Sequence, residues 1–211
     1  CLAQNGMPLK TVSNKDQKGH AEWLQSAIAE LMKASGSGLK DLDAVAVTIG
    51  PGSYTGLRVG LSSAKGLCYA LKIPLITVDT LKMMASAARN VVTEADLLCP
   101  MIDARRMEVF TAVYTKALKE IISPGAMLLE DGSFSELLAS YKIFFFGSGS
   151  KKFISLQSHD NAVSGEVNYD ASEMSALSME DFRKDCFADL AYCEPFYLKD
   201  FFHPSSRDPY K

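Results

Sequence analysis

At 211 residues, 47% apolar and 22% charged, with a formal net charge of -3, the chain has the composition of a folded globular protein, which excludes a disordered or fibrous one. A chain of this length buries roughly 70% of its unfolded surface, so its fold needs neither disulfides nor a structural metal. The slight negative charge excludes a broad basic surface, so a partner would supply most contacts to any nucleic acid.

Five cysteines (Cys1, Cys68, Cys99, Cys186, Cys193) form an odd, widely spaced set without C-x-x-C, and the apolar neighbours of Cys68 and Cys99 mark both as core positions. That pattern points to a reducing compartment, the cytoplasm. No apolar run approaches the ~20 residues of a membrane span, so no membrane role is expected. The opening stretch Leu2-Ala3-Gln4-Asn5-Gly6 reads as the end of a strand and a turn, and the expectation is that native N-terminal strands precede it.

From His20 to Ala34 the apolar positions Leu24, Ala27, Ile28, Leu31 and Met32 follow the helical i, i+3, i+4, i+7 rule. Ser35-Gly36-Ser37-Gly38 ends that helix. Residues 44–49 are a nearly continuous apolar, β-branched run, expected of a strand buried on both faces, and buried parallel strands imply an α/β fold. A glycine-rich turn follows, then a helix over 57–71, a strand over 74–78 and a helix over 80–91. A second set begins near Pro100, with strands at 101–103 and 108–114 joined by a tight Arg105-Arg106 turn. A short helix at 133–139, a buried strand at 142–146 ending in Gly147-Ser148-Gly149-Ser150, and helical stretches within 172–191 complete it. Two related α/β lobes, 1–99 and 100–211, fit this order.

The turn Gly50-Pro51-Gly52-Ser53-Tyr54-Thr55-Gly56 lies between strand and helix, where free backbone N–H groups and the helix dipole attract phosphate or another anion. Its spacing, G-x-G-x-x-x-G, matches neither the dinucleotide fingerprint nor a Walker A loop. A tight turn that needs positive φ is the equal alternative. In the helix beyond, Leu57, Leu61, Ala64, Cys68 and Leu71 repeat at spacings of four, three, four and three, and Gly56, Gly60 and Ala64 form a small-residue row. Such a seam faces either the chain's own sheet or a partner helix.

The block Val45 to Ala70, with Ile73-Pro74-Leu75 and Val78-Asp79-Thr80-Leu81, resembles the signature region of the TsaB (YeaZ) family. His20-Ala21-Glu22, Ile102 to Phe110, Gly147-Ser148-Gly149 and Pro195-Phe196-Tyr197-Leu198 follow in that family's order. The resemblance implies a bilobal actin-like ATPase fold of the ASKHA, RNase H-like type. It implies a non-catalytic scaffold that dimerises with the transferase TsaD and, with the ATPase TsaE, serves transfer of a threonylcarbamoyl group to N6 of adenosine 37 of tRNA. The tRNA would be met through the complex, and ATP or ADP at the complex interface is left open. The family's dimer face maps onto Leu24, Ile28, Leu31, Leu57, Gly60, Leu61, Ala64, Cys68 and Leu71, which favours the partner reading of the seam. A homodimer in the absence of TsaD stays open. The anion turns would comprise Gly50, Gly52, Ser53, Thr55 and Gly56, with Gly147 and Gly149 in the second lobe.

Rival readings are an independent actin-fold ATPase or kinase, or an M22-like metallopeptidase. A TsaD-like metal centre needs an H-x-x-x-H pair on one helical face, whereas His20, His159 and His203 are far apart in this sequence, and no G-x-S-x-G elbow is present. No catalytic residue and no metal ligand is assigned. Asp103, Arg105, Arg106 and Glu108 either contact a nucleotide, a tRNA phosphate or a partner, or form a solvated hairpin. Asp79 is expected to cap the helix that Thr80 begins.

Overall fold

A computed structural model describes residues 1–14, 20–156 and 158–197. Strands β1 (Leu2–Gln4) and β2 (Met7–Lys10) form an antiparallel hairpin, reversed by Asn5 and Gly6 at φ 51° and 81°, a conformation these two residue types tolerate best. Helix α1 (His20–Ser35) follows, then β3 (Val45–Gly50), α2 (Tyr54–Leu71), β4 (Leu75–Asp79) and α3 (Thr80–Val91). Strands β3 and β4 pair in parallel, with Val45 opposite Leu75 and Thr48 opposite Val78. Helix α2 starts three residues earlier than its apolar period suggested, because the Ser53 hydroxyl accepts the Gly56 N–H at 3.3 Å and caps it. Asp79 caps α3 as expected, accepting the Lys82 N–H at 2.8 Å.

The second half opens with β5 (Leu97–Asp103) and continues through β6 (Glu108–Thr115), β7 (Glu120–Leu128), α4 (Ser135–Leu138), β8 (Ile143–Phe146), α5 (Ser150–Leu156), β9 (Ala162–Ser164) and α6 (Met174–Arg183). Its five strands form one sheet in the order β7-β6-β5-β8-β9. The β5–β6 and β6–β7 pairings are antiparallel and the β5–β8 and β8–β9 pairings parallel. This is the arrangement of an RNase H-like unit, so the α/β expectation holds. The first half repeats the sequence of hairpin, helix, strand, helix and strand. Among the described residues its hairpin and its parallel pair remain two separate sheets. The consequence shows in burial: β8 is buried along its whole length, while Val45 to Ile49 of β3 are only half-buried.

One core joins the halves. Ile76 and Val78 of β4, Leu81, Met84 and Ala88 of α3, Leu98 of β5, Tyr114 of β6, Phe146 of β8 and Leu177 of α6 pack together. A second cluster on the far side of the five-stranded sheet centres on Phe145 and Phe153, with ring centroids 4.3 Å apart, and Phe134 sits edge-on to both. A third lies between α2 and the β3–β4 pair. Cys68 and Cys99 are buried, as the sequence indicated.

Strands β7 and β9 and helix α5 carry weak sequence signals. Ser123-Pro124-Gly125 interrupts β7, which is tolerated because β7 is an edge strand. Strand β9 is three residues long and α5 seven. Helical structure in the 172–191 region ends at Arg183, apart from a 3-10 turn that precedes α6.

Candidate functional site

Three places bear on function: the β5–β6 turn with the cavity beside it, the glycine-rich turn before α2, and the outer face of α1 and α2. At the first, Asp103 ends β5, and its main-chain N–H donates to the Ser148 hydroxyl at 3.0 Å. The Asp103 carboxylate accepts the Lys152 ammonium at 2.7 Å and the Arg105 main-chain N–H at 2.6 Å. Lys152 also donates to the Glu108 carbonyl at 3.1 Å, which locks α5 to the base of the turn. The Lys152 hydrogen bond, with that from the Arg105 N–H, holds the Asp103 carboxyl below the ordinary carboxylate range. Arg105 and Arg106 occupy the tip, both exposed, at φ 69° and 48°. Left-handed backbone costs a non-glycine residue roughly 1–2 kcal/mol, so the arginines are not there to ease the turn.

Beside this turn a cavity of about 600 Å³ opens, lined by Gly147 and Ser148, by Lys151 and Ile154 of α5, and by Ser164 to Tyr169 beyond β9. It lies outside the carboxyl ends of β8 and β9, the side on which open α/β sheets take small ligands. The sequence reading singled out Gly147 and Gly149 for an anion turn. Gly147 lines the cavity, yet a Cβ on it, at φ +92°, would stand 2.5 Å from the Met101 carbonyl oxygen. Gly149 is buried behind it, and a Cβ there would stand 2.8 Å from Val109 Cγ1. Close packing on β5 and β6 therefore accounts for both glycines. The cavity-lining residues of α5 and of the loop beyond β9 were missed; the only signal was the polar run Ser164-Gly165-Glu166 after a short apolar stretch.

The glycine-rich turn is covered at its start, Gly50 and Pro51, while Gly52 to Thr55 are exposed. The Phe196 N–H donates to the Ile49 carbonyl at 2.7 Å, and a Cβ on Gly50 would lie 2.6 Å from the Phe196 carbonyl oxygen. Phe196 belongs to a strap that leaves the edge of β4, where the Ala188 N–H donates to the Leu75 carbonyl at 2.8 Å. Lys65 of α2 fastens the strap through the carbonyls of Ala191 and Cys193, at 3.3 and 2.8 Å. At its end the Arg58 Nε–H donates to the Tyr197 hydroxyl at 3.0 Å. Arg58 also lies 4.2 Å over the Tyr54 ring, which packs on Tyr197 at 5.3 Å. Gly50 thus serves close approach of the strap, Ser53 is the helix cap, Thr55 stays exposed, and Gly52 and Gly56 meet neighbours only at ordinary contact distances.

The seam on α2 points inward. Leu57, Leu61, Ala64 and Cys68 are 9, 4, 5 and 1% exposed, and the last three pack with Leu75 against Val45, Val47 and Ile49. They are core side chains, as amphipathic helix packing on a sheet requires. Leu31 is also buried, while Leu24, Ile28, Gly60 and Leu71 are half-buried. Facing solvent instead is a row with the same four-three spacing: Thr55, Val59, Ser62, Gly66 and Tyr69, of which only Val59 is half-buried. Helix α1 lies alongside, its Gln25 amide donating to Ser63 at 3.0 Å.

Among the described residues no three His, Cys, Asp or Glu side chains gather into a metal-binding group. The His159 imidazole accepts the Asn161 N–H at 3.1 Å in an exposed turn, and His203 lies outside the described residues. No described helix is long and apolar enough to cross a membrane.

A family model described as TsaD, tRNA N6-adenosine threonylcarbamoyltransferase, matches residues 11–192. The tRNA threonylcarbamoyladenosine biosynthesis protein TsaB of Bacillus subtilis is 32% identical over 118 residues, 54% of this chain and 50% of that protein. The TsaB protein of Haemophilus influenzae is 39% identical over 94 residues, 44% of this chain and 39% of that protein. The chain thus spans half or less of the length of the curated relatives it matches. A crystal structure from Pseudomonas aeruginosa, described as an uncharacterized protein with similarity to peptidase YEAZ, superposes with a TM-score of 0.76 at 24% identity, covering 86% of this chain and 85% of that one. The fold is the actin-like α/β fold that the resemblance implied.

Proposed function

The chain belongs to the family of TsaD, tRNA N6-adenosine threonylcarbamoyltransferase, among its TsaB (YeaZ) members, and from this premise we propose that it is a non-catalytic subunit of the apparatus that makes threonylcarbamoyladenosine in tRNA. It acts by pairing with a TsaD-like transferase, in the cytoplasm, with a TsaE-like ATPase completing the assembly and tRNA met through the complex. Its two lobes meet at β5.

The observation that carries this reading is the outer row of α2. Thr55, Val59, Ser62 and Gly66 are small residues on the outward side of α2, and outside the helix's own backbone nothing lies within 4 Å of the place a Gly66 Cβ would take. A helix of a partner can approach such a row of small residues closely. Pairing is therefore assigned to the outer row and to the half-buried Leu24, Ile28, Gly60 and Leu71, in place of the buried Leu31, Leu57, Leu61, Ala64 and Cys68. The same row would serve a homodimer when no transferase is present.

The test is threonylcarbamoyl transfer to tRNA by the TsaD-like and TsaE-like proteins of the same organism, with and without the full-length protein, beside sizing of the mixture. Dependence on the protein together with a stable complex supports the reading; full transfer without it, and no complex, sinks it. A second reading, an independent ATPase or kinase, draws on the cavity beside Gly147. It predicts nucleotide hydrolysis by the protein alone, or saturable nucleotide binding that a bulky residue at Gly165 abolishes. The metallopeptidase alternative draws on no group of side chains among the described residues.

A further inference from the structure

The β5–β6 turn holds two cations, Arg105 and Arg106, that no ion pair or side-chain hydrogen bond among the described residues uses. Its acid, Asp103, is already neutralised by Lys152 at 2.7 Å and turned back onto the Arg105 N–H. Arg105 and Arg106 stand exposed at the tip, and neither side chain has an ion-pair or hydrogen-bond partner among the described residues. The base beneath them is rigid: Lys152 bridges Asp103 and the Glu108 carbonyl, and Ser148 holds the Asp103 N–H. The two arginines are adjacent in one tight turn on that base, both in left-handed backbone and both exposed. Lys151, next to Lys152 on α5, adds an exposed ammonium on the cavity side.

The chemistry of the surroundings selects among polyanions. A protein interface needs buried apolar or aromatic anchors at its centre, and the turn has none exposed: Met107 is half-buried. Behind the turn the cavity rim carries Ser148, Ser164 and Asn168, whose hydroxyl and amide groups suit sugar and phosphate oxygens, beside the carboxylate of Glu166 and the apolar Ile154, Val167 and Tyr169. Guanidinium groups bind phosphate in a bidentate fashion. A chain of net charge -3 would hold RNA away except where such cations are concentrated.

We propose that Arg105 and Arg106, at the tip of the β5–β6 turn, contact backbone phosphates of the tRNA that the complex modifies. The inference rests on the reading of the chain as a subunit of that complex. It places one direct tRNA contact on this chain, in addition to those the transferase makes.

The experiment titrates a fluorescent, unmodified tRNA transcript with adenosine at position 37 onto the complex reconstituted from full-length protein. Wild type, the double variant Arg105→Ala/Arg106→Ala and the charge-keeping Arg105→Lys/Arg106→Lys are compared at several salt concentrations, with sizing to verify pairing. The alanine variant is expected to pair normally and bind tRNA about five-fold or more weakly near 0.1 M salt. Its slope of log affinity against log salt should be shallower by about 1 to 2, as expected for one or two lost phosphate contacts. The lysine variant should recover most of both. Equal affinity and slope in wild type and alanine variant overturn the proposal. So does weakened pairing with unchanged tRNA affinity once excess transferase restores the complex, which would make the turn a protein contact. If the wild-type protein does not pair with the transferase, the subunit reading fails by itself. The same titration on the protein alone then decides the arginines, a weaker alanine variant supporting the contact and equality overturning it.

Discussion

The Phe196 N–H meets the Ile49 carbonyl at 2.7 Å, and in the same place the Phe196 carbonyl stands where a Cβ of Gly50 would be, at 2.6 Å. The end of β3 and the strap beyond α6 are therefore fitted to each other at the one residue type that leaves room. Gly50→Ala should displace the strap, and at φ +127° it also strains the backbone, for a loss of about 1–3 kcal/mol. Denaturant unfolding measures the loss. Hydrogen exchange at the Phe196 amide should accelerate in the variant, and an unchanged Phe196 amide would show that the strap is not held there.

The two faces of α2 make opposite predictions. Leu61→Arg or Ala64→Glu would place a charge against Leu75 and Val47 and should cost about 3–5 kcal/mol, with loss of folded protein as well as of pairing. Gly66→Arg projects into open space and replaces a mid-helix glycine, so stability should hold or rise by up to about 1 kcal/mol. Pairing with the transferase should nevertheless be lost. Thermal melts and sizing of the mixture separate the two effects; a Gly66→Arg variant that pairs normally moves the interface off this row.

Much of this was legible because period and punctuation agree. Leu24, Ile28 and Leu31 mark α1, Asp79 announces the start of α3, and the apolar run before Gly50 is a strand in parallel pairing. The direction of the α2 seam was not legible, since Leu57, Leu61, Ala64 and Cys68 have the spacing of a coiled-coil face and of a sheet-facing stripe alike. Only the position of β3 and β4 decides between them. The strap was equally hidden. It is held partly by main-chain hydrogen bonds from Ala188 and Phe196 that no side-chain pattern encodes and partly by Lys65 and Arg58, which read as ordinary polar positions of α2, and only Pro195-Phe196-Tyr197 hinted at it. The cavity escaped notice because its walls come from three separate short segments, none with a period of its own.

Thiol chemistry offers an independent check of burial. Cys99 is fully buried and its thiol is pushed up to about 12 by loss of solvent, and burial also raises Cys68. Cys1 and Cys186 are exposed. With a thiolate-trapping reagent near pH 8, Cys1 and Cys186 should react in the native protein, whereas Cys68 and Cys99 should react only after unfolding. Rapid native labelling of Cys99, read by peptide mass mapping, would contradict its buried place on β5, where its thiol meets the Thr111 hydroxyl of β6.

Asp79 connects the halves and should set part of the pH dependence. Its carboxylate caps α3 and accepts the Tyr114 hydroxyl of β6 at 3.5 Å. Burial pushes its pKa up, against the lowering effect of the Lys82 and Leu81 N–H groups, and the neighbouring Glu120 adds to the rise. The folded state thus holds the Asp79 proton more tightly than the unfolded state. The resulting stability is complete below the unfolded-state pKa and is lost as pH rises through the raised folded value. Above that value the buried charge opposes folding by about 1.4 kcal/mol for each unit of upward shift. Asp79→Asn keeps an oxygen acceptor for the Lys82 N–H, and asparagine is as good a cap as aspartate, but it carries no charge to bury. The variant should therefore be as stable as wild type or more so near pH 7, and its stability should change less between about pH 4 and pH 7. Urea unfolding across that range measures both. A variant that is less stable than wild type near pH 7, by a margin that shrinks as the pH falls toward 4, would mean that Asp79 contributes as an ionised cap rather than as a buried acid.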